Sequence, residues 1–294
     1  MNLWTDYLVP QSLSEALSAL ASAQQPVAPI AGGTDLLLDF AQGRHAPPKT
    51  LVDLNSVREM TALELRAGKL FIGAAVPLST ITRNPLVKRH APALLEACEL
   101  IGGPQVRNVA TLGGNVVHAL PAADGTIALL ALDAIAETAG PAGNSLLPIG
   151  DLFVGPGRSA LKSGQELIVG FHIPTAKPGE ASSFRRIMRP QGVALPIVNL
   201  AVWLERHDET LAAARVAVGP GGPKPWRATA AEQRLAGSGG SQEAVDAALQ
   251  ALLEDVGFRS SARRATAEYR QHLVKGLFTE TVGAAWLAAS QKGD

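Results

Sequence analysis

The 294-residue sequence contains a single cysteine, Cys98. One cysteine excludes a disulfide within the chain, and it excludes an iron–sulfur cluster held by this chain alone, since such a cluster needs about four ligands. Any cluster that works with this protein must therefore belong to a partner. Cys98 itself, in the stretch LLEACELIGG, is predicted to be a small buried apolar residue on a helix.

The sequence also lacks an excess of charge of either sign. Lysine plus arginine and aspartate plus glutamate both number 26, and no basic run of five residues occurs. This balance argues against nucleic acid as a partner. Hydrophobic residues make up 47% of the chain but aromatic residues only 4%, which predicts a globular protein with a mainly aliphatic core.

Long apolar runs are absent as well. No stretch of about eighteen apolar residues occurs, and the first residues, MNLWTDYLVPQS, lack the charged and apolar regions of a secretory signal. We therefore expect no transmembrane segment, and the cytoplasm is the expected location.

Several catalytic and metal-binding motifs are missing. The six histidines show neither H-x-H nor H-E-x-x-H spacing, and no G-x-S-x-G nucleophile turn is present. G-x-G-x-x-G is absent from the first glycine loop, which disfavours a nicotinamide-binding Rossmann domain. His118 lies in a glycine-containing loop, where a structural role is favoured over a catalytic one. The sequence predicts no catalytic side chain and no metal site.

What is present predicts an α+β fold that begins with a small lobe over residues 1 to about 55. Ser12 and Glu15 fit a capping box at the start of a helix. A buried strand at Val27–Ala31, a helix at Asp35–Gln42 and a strand at Thr50–Leu54 follow. This alternation of strand and helix predicts a parallel sheet.

A second lobe of mixed helices and strands is predicted over residues 56–175. Leu63–Arg66 and Leu70–Ile72 form a predicted hairpin, and a helix is predicted over Leu86–Leu100. Turn-forming residues at 174–181 mark a linker. Beyond it, the pattern over 182–290 predicts a small domain of antiparallel strands followed by helices.

Two glycine-containing loops carry the functional signal. The first reads PIAGGTDLL at 29–37, and the second reads ATLGGNV at 110–116. Glycines let a main chain approach a ligand closely, and the amides at a helix start attract phosphate. A tight turn that binds nothing explains either loop alone, but two such loops in neighbouring lobes favour a phosphate-bearing ligand.

Acidic and basic residues near the loops have two interpretations each. Asp35 either belongs to the phosphate loop or is a favourable partner of the helix dipole. Asp124 either accepts hydrogen bonds from a ribose or is the N-cap of the next helix. Arg185, Arg186 and Arg189 either face a phosphate or lie on a solvated strand face.

Several of these stretches together resemble one family, the FAD-binding subunit of the molybdenum hydroxylases, which include xanthine dehydrogenase and aerobic carbon monoxide dehydrogenase. The resemblance covers nearly the whole chain. It is carried by AGGTDLL (31–37), QVRNVATLGGNV (105–116), PAADG (121–125), GPGRSAL (155–161), Phe184-Arg185-Arg186 and AEYRQHL (267–273).

The resemblance implies a two-lobed FAD-binding domain of the vanillyl-alcohol-oxidase type over residues 1–175, with lobes of about 1–55 and 56–175, and a smaller domain over 182–290. It also implies the residues that contact FAD. These are Pro29, Ile30, Ala31, Gly32, Gly33, Thr34, Asp35 and Leu36 in the first loop, Thr111, Gly113, Gly114 and Asn115 in the second, and Ile101, Asp124, Leu161 and Arg185 elsewhere. Ile101 replaces an aromatic residue of some relatives, and Arg185 replaces a lysine that is common in relatives.

The resemblance further implies electron transfer within a complex. A molybdopterin-containing large subunit and a small subunit with two [2Fe-2S] clusters are the implied partners, assembled as a dimer of heterotrimers. FAD would pass electrons to an outside acceptor. The AGGTD loop resembles the xanthine, aldehyde and N-heterocycle branch more than the carbon monoxide branch. Two alternatives stay open, namely a flavin enzyme that acts alone on its own substrate and a scaffold subunit without cofactor.

If the two glycine-containing loops bind the cofactor, substitution of their glycines should affect FAD binding. Gly32→Val and Gly114→Val are both expected to abolish FAD retention and to leave the chain largely folded, because each would block close approach of the backbone to the cofactor.

Overall fold

A computed structural model describes residues 4–189, 195–262 and 264–290. The chain begins with a three-stranded parallel sheet in the order β1-β3-β2. Its strands are β1 (Asp6–Leu8), β2 (Val27–Ile30) and β3 (Thr50–Asp53), and its helices are α1 (Leu13–Ser22) and α2 (Leu36–Ala41). The predicted parallel arrangement of this first lobe is confirmed.

The start of α1 differs slightly from a capping box. Ser12 Oγ accepts a hydrogen bond from the Glu15 amide at 3.2 Å, as expected for an N-cap. The Glu15 carboxylate, however, accepts from the amide of Gln11 at 2.8 Å rather than from that of Ser12. The reciprocal bond is therefore displaced by one residue.

The second lobe contains a five-stranded antiparallel sheet in the order β4-β5-β10-β6-β7. Its strands are β4 (Leu63–Arg66), β5 (Lys69–Gly73), β6 (Ile135–Gly140), β7 (Gly143–Pro148) and β10 (Leu167–Pro174), and a separate pair is β8 (Phe153–Gly155) and β9 (Arg158–Ser159). Its helices are α3 (Arg58–Thr61), α4 (Leu78–Ile81), α5 (Pro85–His90), α6 (Pro92–Leu100), α7 (Pro104–Arg107), α8 (Leu112–Val117) and α9 (Asp124–Ala131). The predicted hairpin is formed by β4 and β5.

The single helix predicted over Leu86–Leu100 is wrong, because α5 and α6 are separate helices. Ala91 lies between them with φ −141° and ψ 54°, outside the helical region. Pro92 causes the break, since a proline ring disfavours helical backbone at the residue before it.

The third unit is an antiparallel sheet followed by helices, as predicted. Its strands β11 (Glu180–Met188), β12 (Pro196–His207), β13 (Thr210–Gly219) and β14 (Trp226–Arg227) pair in chain order. Its helices are α10 (Thr229–Leu235), α11 (Gln242–Asp255) and α12 (Ala267–Ser290). Residues 182–290 of this unit are called the C-terminal domain below. Within the described residues, no helix has the length and apolar character needed to cross a bilayer.

Cys98 lies in α6 and is fully buried, as the sequence predicted. Burial, and to a smaller extent the charges of Asp124 and Glu99, raise the pKa of its thiol. Because the thiolate is the reactive form, we expect a thiol-specific reagent to leave the native protein unlabelled and to label Cys98 fully in urea. Mass spectrometry of both samples checks this, and rapid labelling under native conditions would contradict the buried position.

Candidate functional site

A cavity of about 840 Å³ lies where the two lobes meet the C-terminal domain. All three units contribute residues to its walls, and we call it the central cavity. Every residue predicted to contact FAD lines this cavity, except Arg185. Residues that are far apart in the sequence, such as Pro29, Ile101, Thr111, Asp124 and Leu161, therefore share one site.

The first loop connects β2 to α2 and exposes backbone donors. The amides of Gly32, Gly33, Thr34 and Asp35 have no acceptor among the described residues. Gly33 has φ +68°, a conformation that side chains with a Cβ rarely adopt. Asn55 Nδ2 donates to the Ala31 carbonyl at 3.0 Å and so holds the loop in place. A set of free amides at a helix start suits an anionic group.

Gly32 has a role that the sequence did not reveal. A Cβ at this position would lie 2.1 Å from the carbonyl oxygen of Val109. The first loop therefore packs directly against the main chain before the second loop, and only glycine permits this contact. The expectation that Gly32→Val leaves the chain largely folded is wrong, because valine would force the two backbones apart.

Most of the second glycine-containing stretch forms a short helix, α8. Thr111 is the N-cap of α8, and its hydroxyl oxygen accepts from the Gly114 amide at 3.1 Å. The amides of Gly113 and Asn115 donate to the carbonyls of Ala74 at 2.9 Å and Thr111 at 3.1 Å. These amides are thus occupied within the protein, whereas those of the first loop are open.

The two glycines of α8 differ in their surroundings. A Cβ on Gly113 would lie 2.6 Å from the Ala74 carbonyl oxygen, so this glycine allows α8 to pack on the second lobe. A Cβ on Gly114 would meet only the Thr111 hydroxyl, at 3.3 Å. Gly114 is exposed and lines the central cavity. A side chain at Gly114 would therefore extend into the central cavity.

Asn115 supplies an unused acceptor. Its Oδ1 is buried and has no hydrogen-bond partner among the described residues. A Cβ on Gly125 would lie 2.8 Å from this oxygen, so Gly125 is what lets the Asn115 side chain lie against α9. A buried acceptor without a donor in a cavity wall suits a hydroxyl or N–H group of a ligand.

Asp124 is occupied by side chains of the C-terminal domain. The carboxylate is 4% exposed and accepts from Arg186 Nη1 and from Asn199 Nδ2, both at 2.5 Å. Burial raises the pKa of Asp124, whereas the Arg186 charge and the two hydrogen bonds act in the opposite direction. Ala123, not Asp124, is the N-cap of α9. Asp124 therefore ties the second lobe to the sheet of the C-terminal domain.

The two adjacent arginines of β11 point to different partners. Arg185 forms ion pairs with Glu96 at 3.2 Å and Glu280 at 3.4 Å and does not line the central cavity. Arg186 does line it, with a side chain that is 5% exposed and an Nε atom that has no partner among the described residues. Because successive side chains of a strand alternate between its faces, only one of the pair can face the cavity.

Apolar residues complete the walls. Ile101 and Leu161 line the cavity, each half-buried, together with Val106, Leu120 and Leu195. His118, for which a structural role was favoured, also lines it. Open amides, an orphan acceptor, an orphan guanidinium donor and apolar walls fit FAD, which combines a pyrophosphate, sugar hydroxyls and flat ring systems.

Two residues of the site, Asn199 and Arg264, are not indicated by the sequence, which names Arg186 only together with Arg185 and Arg189 and leaves a solvated strand face as the alternative. Arg264 lines the cavity from the loop before α12, more than 200 positions after the first loop. Neither the charge of Arg264 nor the amide of Asn199 distinguishes these residues in the sequence, and alternation along β11 does not say whether Arg185 or Arg186 faces inward. Within the described part of the chain, no group of three or more histidine, cysteine or acidic residues could hold a metal ion.

Two segments of the chain match known protein families. Residues 3–176 match the family described as the FAD binding domain in molybdopterin dehydrogenase. Residues 182–285 match the carbon monoxide dehydrogenase flavoprotein C-terminal domain. Together these matches include both glycine-containing loops and the strands that carry Arg186 and Asn199.

Similar proteins and structures agree with these matches. The chain is 34% identical to the nicotine 6-hydroxylase medium subunit of Paenarthrobacter nicotinovorans, over 94% of this chain and 95% of that one. It is 31% identical to the xanthine dehydrogenase FAD-binding subunit of Escherichia coli O157:H7, over 96% of both.

Among solved structures, a chain of carbon monoxide dehydrogenase from Hydrogenophaga pseudoflava superimposes with a TM-score of 0.90 at 26% identity, covering 98% of this chain and 99% of that one. A chain of quinoline 2-oxidoreductase from Pseudomonas putida 86 gives 0.89 at 28% identity, with the same coverage. The chain thus belongs to the family of FAD-binding flavoprotein subunits of the molybdopterin-containing dehydrogenases.

Proposed function

We propose that this chain is the FAD-carrying electron-transfer subunit of a molybdenum hydroxylase. It would receive electrons from iron–sulfur clusters of a partner subunit and deliver them to an external acceptor. The observation that carries the proposal is the central cavity, in which open backbone amides, an orphan acceptor and an orphan guanidinium donor meet apolar walls. The single cysteine supports the assignment of the clusters to a partner.

Individual residues are assigned from their surroundings. The amides of Gly32, Gly33, Thr34 and Asp35 would hold the pyrophosphate, and the Thr111 hydroxyl can donate to it because its oxygen already accepts from Gly114. Asn115 Oδ1 would accept from a hydroxyl of the cofactor. These groups bind and orient, and none needs to move a proton.

For Arg185 and Asp124, the roles that we propose differ from those that the family resemblance implies. Arg186, rather than Arg185, would contact the cofactor, because only Arg186 reaches the cavity. Asp124 would act mainly through Arg186, which it holds in place, since both carboxylate oxygens are occupied. The bound flavin supplies the ability to accept electrons singly and to release them in pairs. Ile101 and Leu161 would exclude water from its surroundings.

The wider assembly is part of the same proposal. Similar chains are named as medium subunits of nicotine 6-hydroxylase and of carbon monoxide dehydrogenase. By analogy, we infer a molybdopterin-containing large subunit and a two-cluster [2Fe-2S] small subunit as partners, in a dimer of heterotrimers. Within the chain, we infer an FAD-binding domain over 1–175 with lobes of about 1–55 and 56–175, and a C-terminal domain over 182–290.

The first test is the visible absorption spectrum of the purified chain, with the released cofactor identified by mass spectrometry. We expect an oxidised flavin spectrum and FAD. The second test adds the partner subunits and the substrate of the complex, whereupon the flavin absorbance should bleach. Bleaching by a substrate with the isolated chain would instead favour a flavin enzyme that acts alone. A complex that turns over without FAD would favour a scaffold subunit.

A further inference from the structure

Positive charge collects around the beginning of α12. The segment 259–275 contains five arginine or lysine residues and one acidic residue, although the whole chain is balanced at 26 of each sign. Three described residues form what we call the arginine cluster: Arg259 and Arg264 in the loop between α11 and α12, and Arg270 in the first turn of α12. The excess of arginine and lysine makes this segment a positively charged region of an otherwise neutral chain.

Arg270 is the buried member of the cluster. Arg270 is 3% exposed, and its Nε atom has no hydrogen-bond partner among the described residues. Burial, followed by the charges of Arg264 and Arg259, lowers the pKa of Arg270. In the described chain, no carboxylate forms an ion pair with any of the three guanidinium groups. A buried cation without a counter-charge is costly, so an anion from outside the chain would stabilise it.

The cluster reaches the central cavity through Arg264. This residue lines the cavity together with Leu195 and Pro196 at the beginning of β12. Its loop is held by a hydrogen bond from the Ser261 amide to the Ala265 carbonyl at 2.9 Å. A second bond, from Arg189 Nη2 to the Arg264 carbonyl at 3.2 Å, ties the loop to the end of β11. The open amides belong to the first lobe and the arginine cluster to the C-terminal domain, so the two sets of donors are carried by different units around the cavity.

The chemistry of the cluster selects its ligand. A guanidinium presents paired N–H donors that match two oxygens of a phosphate or carboxylate group. Three cations together suit a phosphate, which carries up to two charges, better than a single carboxylate. We propose that the arginine cluster binds the phosphate group of a second small molecule at the edge of the central cavity. The proposal depends on the proposed function in one respect, namely that FAD occupies the cavity itself.

Two sources of such a phosphate are possible, and they differ in meaning. If the ligand is a nucleotide, the external electron acceptor belongs to the phosphate-bearing nucleotides, because its phosphate would be anchored beside the cofactor. If the ligand is free phosphate, the cluster is an anion site that responds to phosphate concentration. In both cases we expect binding to require a phosphate group on the ligand and the guanidinium group of Arg264.

The experiment is an isothermal titration of the FAD-loaded full chain at low salt, with ADP, inorganic phosphate and adenosine as separate probes. ADP or phosphate should bind and adenosine should not, and binding should weaken as salt is added. Arg264→Gln and Arg259→Gln should each weaken binding at least about tenfold. Both side chains are exposed, so neither variant removes core packing. Tighter binding of ADP than of phosphate identifies a nucleotide, and equal binding identifies free phosphate.

Arg234→Gln is the matched control. Arg234 is an exposed arginine of α10 that does not line the central cavity, and its replacement should leave binding unchanged. The proposal is overturned if neither ADP nor phosphate binds, or if Arg264→Gln binds them like the unchanged protein. It is also overturned if Arg264→Gln loses FAD but keeps ADP binding, since the cluster would then serve the cofactor. Flavin absorbance, recorded for each sample, separates these results from a failure of the chain to bind FAD at all.

Discussion

Arg186→Met is expected to lower the free energy of unfolding by about 3–5 kcal/mol, the range for removing one partner of a buried ion pair. Arg186 and Asp124 are 5% and 4% exposed, so the variant leaves a carboxylate that water cannot reach. Three of the four tryptophans, Trp203, Trp226 and Trp286, lie in the C-terminal domain. A urea titration followed by tryptophan fluorescence therefore measures the effect where Arg186 is located.

Arg185→Met is the matched control, since it makes the same chemical change at the neighbouring position of β11. Arg185 is 34% exposed and pairs with two carboxylates that remain partly hydrated. Its loss should cost about 0–1 kcal/mol. The double variant Asp124→Asn, Arg186→Met should recover part of the stability, because a neutral amide is cheaper to bury than a charge. Equal losses in the two single variants would contradict the buried clamp. The titration is performed on protein freed of FAD, so that cofactor loss does not contribute.

Gly114→Val is expected to reduce FAD affinity at least about tenfold, equivalent to about 1.4 kcal/mol, while the chain stays folded. Gly114 is exposed at the cavity wall, and its Cβ would meet only the Thr111 hydroxyl. The valine side chain would therefore occupy space meant for the ligand without displacing backbone. The ratio of flavin absorbance to protein absorbance, and titration of the stripped protein with FAD, provide the measurement.

Two other glycines serve as comparisons. Gly283→Val in α12 places the same residue at a helical site with nothing within 4 Å of the new Cβ and away from the cavity, so FAD content should not change. Gly32→Val should lose both stability and FAD, because its Cβ would collide with the Val109 carbonyl. If Gly114→Val keeps the FAD content of the unchanged protein, α8 does not contact the cofactor.

Local patterns in the sequence determined much of the fold. The alternation of strand and helix predicted the parallel sheet β1-β3-β2, and turn residues predicted the hairpin of β4 and β5. The two-glycine loops led to the cavity because glycine, free amides and a helix start act together over a few neighbouring residues. The single cysteine similarly excluded a four-ligand iron–sulfur cluster held by this chain alone. The conclusions on strands, hairpin and loops need only residues close together in the chain, and the conclusion from cysteine needs only the composition.

Tertiary structure alone decided which groups face the central cavity. Adjacent residues such as Arg185 and Arg186 have the same chemistry. Only the packing of β11 against α6 and α12 places Arg185 beside Glu96 and Glu280 and leaves Arg186 facing Asp124 and the cavity. The same holds for Gly32, whose role depends on Val109 more than 70 positions away, and for Asp124, whose partners lie on β11 and β12. Side-chain direction and close backbone contact arise from long-range packing, and no local pattern encodes them.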